Sequence, residues 1–482
     1  MIKLSLIFCF IILSLCVLAH NETDNKVDKN HDSISCASDE IKTVVGEIRL
    51  VGNKKTVDRI IFRELVFKKG DTISRKLFQE LLVQSRQNLL NRSLFNFVDI
   101  GCSINKENPE LTDILIFVTE RWYLWPLPIF ELADRNFNIW WKTKDFSKVN
   151  YGIYSTHNNF RGRNEKLKLL IRLGYNQNYF LLYEVPYITR KQNLGIGIQV
   201  GVSQSREIPY ATQYDKHVFY KNENGVALKE IYTKLQFSYR LGIHDFHSLA
   251  VTYENYRFAD TILTMNPGFV DGDVAMTEML SIVYLFKHDY RDSKAYPLDG
   301  HYFDTEITKR GLGIFETSPD YFTVKSTFDF YKPIWKRLYW ASSITTKFSG
   351  GTNQPYFLTR GLGYNNDYVR GNELYVADGQ NFGLLKNNLK LEVLKPKIST
   401  IPWIKTEKFN KIHYAFYLNW LLDIGYVHND HENPTSRIQN KLLYGTGLGL
   451  DLVTYYDLVF RVEYSVNQFG KTGVYLQFVA PI

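Results

Sequence analysis

From about Val149 to Ile482, apolar and polar residues alternate with a period of two. In Lys166 to Tyr175, Leu167, Leu169, Ile171, Leu173 and Tyr175 share one face, and Lys166, Lys168 and Arg172 share the other, with Leu170 an exception. In Lys234 to Leu241, Leu235, Phe237, Tyr239 and Leu241 alternate with Lys234, Gln236, Ser238 and Arg240. Every even position from Tyr414 to Tyr426 is apolar, and Leu458, Phe460, Val462, Tyr464 and Val466 repeat the pattern near the end. Successive strand residues point to opposite faces, so each run is a strand with one apolar and one polar side. Such strands, repeated between turn residues, are the signature of a transmembrane β-barrel. A soluble sandwich also alternates, but with shorter strands and without so full a supply of aromatics. The runs amount to about 16 strands, an even number as bacterial barrels have. The fold class is therefore mainly β: a transmembrane antiparallel barrel preceded by one small α+β domain.

That domain occupies residues 41–121 and reads β-α-α-β-β. Val44 to Val51 is a strand closed by Gly52-Asn53, and Val57, Ile60, Ile61 and Leu65 recur at helical spacing. Gly70-Asp71 breaks this helix, and Leu77, Leu81, Leu82, Leu89 and Leu90 mark a second. Phe97 to Ile104 and Thr112 to Glu120 are strands around an Asn108-Pro109 turn. Residues 122–146 follow with four tryptophans among prolines and charges. Tryptophan settles at membrane–water interfaces, so this stretch is a connector at the rim or, alternatively, a buried interdomain patch. The barrel is expected over 147–482.

Residues 1–19 have the form of a signal peptide: Lys3, a run of apolar residues from Leu4 to Leu18, then Ala19. The run is short for a spanning helix, and no comparable one recurs. A lipoprotein reading would use Cys16, but Leu15 stands where a small residue is expected. Residues 20–40 are polar without periodicity and read as a disordered tail. Cys36 and Cys102 either form a bridge in an oxidising compartment or stay as separate thiols; no spacing suggests a metal site. The net charge of +8 is spread among charges of both signs, which does not mark a nucleic-acid binder.

The most informative stretch runs from Gly350 to Glu392. A long polar, glycine-rich loop carries Val369-Arg370-Gly371 near its middle, and loops of this length are usually functional or disordered. Glu392 shares a face with Asn388 and Lys390, opposite Leu389, Leu391 and Val393. Asp423 shares a face with Asn419 and Gly425. Both carboxylates therefore point into the barrel, within reach of a cation on the loop. A turn reads Asp289-Tyr290-Arg291-Asp292 through Pro297-Leu298-Asp299-Gly300, where proline and glycine set turn geometry. The first hairpin carries Asn159-Phe160-Arg161-Gly162-Arg163. The last strand has Lys471, Gly473, Leu476 and Phe478, followed by Val479-Ala480-Pro481-Ile482.

In this order, these motifs resemble the BamA/TamA superfamily of outer-membrane assembly barrels, also called the bacterial surface antigen family. Residues 41–121 resemble its POTRA domain through VGEIRLVGNKKTVDRIIFRELVFKKGD and LLNRSLFNFVDI. The resemblance implies a loop tip, Val369-Arg370-Gly371, folded back into the barrel, with Arg370 paired to Glu392 and Asp423. The residue after the tip, usually aromatic, is Asn372 here. It implies a structural turn at Asp289, Arg291, Asp292, Pro297 and Gly300. It also implies an assembly signal in the last strand, where an aromatic residue usually ends the chain. Localisation would be the outer membrane, with the N-terminal domain in the periplasm. Partners would be unfolded outer-membrane proteins and the lipid bilayer, with accessory lipoproteins or an inner-membrane partner as further candidates and no nucleic acid.

No enzyme is expected, and neither cofactor nor metal. Gly445-Thr446-Gly447-Leu448-Gly449 lies in an alternating strand with no helix behind it, so it fails as a phosphate loop. His244-Asp245 and His288-Asp289 are neighbours on strands and face opposite ways. The resemblance implies assembly or translocation of outer-membrane proteins, by strand capture at the POTRA edge and sideways opening between Val149–Thr156 and Lys471–Ala480. A dedicated polypeptide secretion pore and a passive channel are the alternatives.

Overall fold

The computed structural model describes residues 42–105, 108, 110–132, 149–223, 225–351, 354–404 and 407–478. The expected signal segment, the tail and Cys36 lie outside them. The N-terminal domain comprises β1 (Lys42–Val51), α1 (Asp58–Phe62), β2 (Thr72–Ser74), α2 (Arg75–Leu90), β3 (Phe95–Ile104) and β4 (Leu111–Glu120). Its sheet order is β2-β1-β4-β3, with β1 and β4 parallel. Helix α2 turns Phe78, Leu82 and Leu89 onto the sheet, where they pack with Val45, Ile60, Ile61 and Val98. Leu77, expected on that face, is exposed. The three-residue β2 shows no period of its own; it pairs with Lys42, Thr43 and Val44 of β1, and β3 is the outer strand on the other side of the sheet.

Sixteen strands form the second sheet. They are β5 (Leu124–Leu132), β6 (Val149–Phe160), β7 (Glu165–Gly174), β8 (Gln177–Val185) and β9 (Leu194–Ser205). A separate hairpin, β10 (Glu207–Gln213) and β11 (Lys216–Lys221), precedes β12 (Leu228–Leu241), β13 (Asp245–Phe258), β14 (Met276–Asp289) and β15 (Gly300–Arg310). The rest are β16 (Tyr321–Trp335), β17 (Leu338–Gly351), β18 (Asn381–Thr400), β19 (Lys411–His428), β20 (Leu442–Thr454), β21 (Leu458–Asn467) and β22 (Thr472–Phe478). Every pairing is antiparallel and follows chain order, apart from the hairpin that is passed over between β9 and β12. From Ala415 to His428 the parity is unbroken: odd residues are buried, and the even residues Leu418, Trp420, Leu422, Ile424 and Tyr426 are exposed. An apolar outer wall around a polar interior is the surface a barrel presents to lipid.

The barrel begins earlier than the alternation suggested. Residues Leu124–Leu132, expected in a connector, are its first strand, paired with β6 from Leu124↔His157 to Leu132↔Val149. Pro126 and Pro128 hide this strand, because proline cannot donate to a ladder and sits only at edges or bulges. The Asn158 N–H donates to the Tyr123 carbonyl at 2.9 Å, so odd positions of this strand face β6. Both prolines therefore lie on the free edge. The first edge strand is thus β5 and not Val149–Thr156, which is its inner neighbour. Among the described residues no ladder joins β5 to β22. Trp122 and Trp125 meet Phe409 and Tyr456 at the barrel end nearest the N-terminal domain, called proximal below.

Candidate functional site

The loop between β17 and β18 enters the barrel from the distal end. It folds on itself through the Ala377 N–H to the Leu362 carbonyl and the Gly363 N–H to the Asp367 carbonyl, at 2.9 and 2.7 Å. Lys325 of β16 grips Asp367 at 2.6 Å, and the Asp215 carbonyl of the β10–β11 turn accepts from the Val376 N–H at 2.9 Å. Val369 is buried with Leu362, Leu384, Val427 and Leu443. Each support is modest, but together they hold the chain so that residue 370 reaches the lumen wall.

Arg370 is 2 % exposed and Asp423 is fully buried. The Asp423 carboxylate accepts from the Arg370 backbone N–H at 3.1 Å, from Nε at 2.8 Å and from Nη2. Nη1 donates to Asn388 Oδ1 at 2.5 Å. This forked, charge-assisted grip is the strongest kind of side-chain hydrogen bonding. Glu392 faces inward, as its parity required, and is buried, but it does not meet Arg370. It pairs with Tyr417 in the ladder, whereas Asp423 pairs with Lys386. Four residues separate Glu392 from Asn388, roughly 13 Å along a strand, beyond the reach of one guanidinium. The expected Glu392–Arg370 pair is therefore corrected to Asn388 and Asp423.

Several residues of the seat carried no signal that singled them out. A Cβ on Gly445 would lie 1.8 Å from the Arg370 carbonyl, so the glycine run that failed as a phosphate loop lets the tip lie flat against β20. Gly371 sits at φ 83°, a left-handed conformation that suits glycine. The Asn467 side chain donates to the Gly371 carbonyl at 2.9 Å, and its Oδ1 accepts the Phe469 and Lys471 N–H groups that close the β21–β22 hairpin. Asn372, in place of the usual aromatic, exchanges amide hydrogen bonds with Gln468 at 3.1 and 3.2 Å. The tip is thus fastened to the last hairpin of the barrel.

The other expected positions are structural. Arg291 donates to Asp289 at 2.8 and 3.0 Å, and Asp292 Oδ1 accepts the N–H groups of Ser293, Leu298 and Asp299. A Cβ on Gly300 would lie 2.1 Å from the Tyr290 carbonyl. Pro297 lies in the same turn. In β22, Leu476 points outward and Gly473 pairs with Ser465; Lys471 precedes the strand and Phe478 ends it. Cys102 is half-buried on β3.

The N-terminal domain is docked on the proximal turns. Glu64, after α1, accepts from Arg240 of β12 at 2.6 and 2.8 Å and from Arg92 at 2.8 Å. Burial alone would raise this carboxyl, but the Arg92 charge and the Arg240 hydrogen bonds outweigh it and hold it at about 2. Arg121 clamps Asp457 in the β20–β21 turn at 2.7 and 3.0 Å, and the Val57 N–H donates to the Gly162 carbonyl at 3.0 Å.

Residues 43–121 match the family model for POTRA, described as the surface antigen variable number repeat. Among solved structures, CdiB from Escherichia coli is similar over 90% of this chain and 75% of its own, at 12% identity and a TM-score of 0.51. BamA from Haemophilus ducreyi lacking POTRA domains 1-3 aligns over 90% and 83% of the two chains at 14% identity and a TM-score of 0.48. No curated protein matches the sequence. A POTRA domain ahead of a sixteen-stranded barrel with this fold is the arrangement the motifs led us to expect.

Proposed function

We propose that this single-POTRA barrel sits in the outer membrane with its POTRA domain in the periplasm, and assembles client outer-membrane proteins into the bilayer. The observation that carries the reading is the seam between β5 and β22, which no ladder joins among the described residues. One side of it is a strand whose free edge lacks two N–H donors, at Pro126 and Pro128. A paired edge would hold the barrel shut with a full ladder. An edge without those donors pairs weakly with β22 and leaves β22 available to a client strand. The outer strand β3 of the POTRA sheet offers the same chemistry earlier on the route, because an extended peptide adds to a sheet edge through main-chain hydrogen bonds with little demand on sequence. The tip lock supports the reading from inside, since Asn467 ties Gly371, next to Arg370, to the hairpin that ends in β22.

Export of one dedicated polypeptide is the second reading, since a sixteen-stranded barrel is wide enough to enclose a channel. Depletion of the protein in its own host, followed by outer-membrane and secreted proteomics, separates the two. The proposal expects loss of a set of barrel proteins from the membrane. Loss of a single secreted protein with the barrel population intact would overturn it in favour of export. Unchanged protein profiles with altered solute uptake would overturn both.

A further inference from the structure

The turn from Tyr290 to Asp299, between β14 and β15, does not stay at the proximal rim. It folds inward and reaches buried side chains on strands three to six places from β15 in the sheet. Tyr296 is buried, and its hydroxyl donates to Asp451 Oδ2 on β20 at 2.9 Å. Asp451 is itself held by Arg461 of β21 through two hydrogen bonds, at 2.6 and 2.8 Å. The Tyr296 ring lies 4.6 Å from that of Tyr417 on β19. Lys390 Nζ sits 4.4 Å from the Tyr296 ring centroid and donates to the Pro297 carbonyl at 3.4 Å. These partners lie on β18 to β21, beyond β16 and β17 in the sheet order. The contacts therefore cut across part of the lumen.

Lys390 follows Asn388 on the inward face of β18, and Asn388 is a partner of Arg370. The distal loop tip and the proximal turn thus stack one above the other on the same strand, each inserted from its own end. The far side of the turn is held by the POTRA domain: Asn91, at the end of α2, accepts from the Lys294 N–H at 3.1 Å and donates to the Asp292 carbonyl at 3.3 Å.

We infer that the β14–β15 turn is a second plug of the lumen, in series with the distal loop, with Tyr296 as its bolt and the docked POTRA domain holding it seated. The polar network has a stabilising job in either case, so the test needs a readout that stability alone does not move. Two plugs in series give one: opening either leaves the pore blocked by the other. It is independent of the assembly reading, because no client is required.

The test is single-channel conductance of the purified full-length protein in planar bilayers, for wild type, Tyr296→Phe, Arg370→Ala and the double variant. Tyr296→Phe keeps the ring contacts and removes only the hydroxyl. Both single variants should conduct about as little as wild type, and the double variant several-fold more. Asn91→Ala combined with Arg370→Ala should also open the pore, although it leaves the lumen network untouched. This pair carries the test if the first double variant does not fold. Conductance in both double variants no higher than in Arg370→Ala alone would overturn the inference. So would Arg370→Ala alone opening the pore as far as the double variants do.

Discussion

Arg370 is the residue at which sequence and structure agree most closely, and also where they part. The parity of β19 put Asp423 in the lumen, and the long loop needed a contact strong enough to offset the entropy of ordering it. The second partner was not legible, because parity gives the face of a residue and not its height. Glu392 has the right face and lies too far along β18; Asn388 has the right height and carries no charge to announce it. This makes the prediction specific. Arg370→Ala leaves a buried carboxylate without its cation, a change that typically costs about 3–5 kcal/mol. Asp423→Asn should weaken the barrel in the same direction, while Glu392→Gln should leave the tip seated. Arg360 lies earlier in the loop and is exposed, so Arg360→Ala should be mild. Arg370→Lys should rescue little, because a point charge cannot replace a planar fork. Heat-modifiability on gels ranks all five; Arg370→Ala behaving like Arg360→Ala would refute the lock.

At the scale of elements, the domain was read well because its helices and strands each carry their own period. The three-residue β2 is too short to show one, and β5 was hidden by its prolines. Those prolines now make a prediction. Pro126→Val with Pro128→Val restores two N–H donors on the free edge, which should tighten the seam, raise thermal stability and lower assembly of client barrels. A variant with unchanged assembly would show that the edge does not matter. The docked POTRA domain makes another. Its Glu64 lies far in sequence from Arg240, a pairing no local pattern reveals. Since the Glu64 carboxyl is held at about 2, below its ordinary 4.5, the contact contributes fully above pH 4.5 and is lost as pH falls toward 2. Glu64→Gln should free the domain at neutral pH. Hydrogen exchange should then rise in α1 and in the turns after β8 and β12, and stay low in the barrel strands. Exchange equal to wild type would contradict the docking account.

The whole molecule joins three parts: an outer POTRA strand, a seam with few donors and a lumen held by a loop that is tied to the last hairpin. The barrel itself was legible because lipid outside and polar groups inside impose one alternation on every strand. The seam was not, because it depends on where the first strand begins. The most direct measurement is a disulfide across it. In a chain with Cys36 and Cys102 replaced by serine, cysteine pairs are placed along Leu124–Leu132 and Thr472–Phe478, and the pairs that oxidise are assayed for insertion of client barrels in vivo. The account predicts that bridged protein is folded and inactive and regains activity on reduction. Full activity with the seam bridged would contradict it.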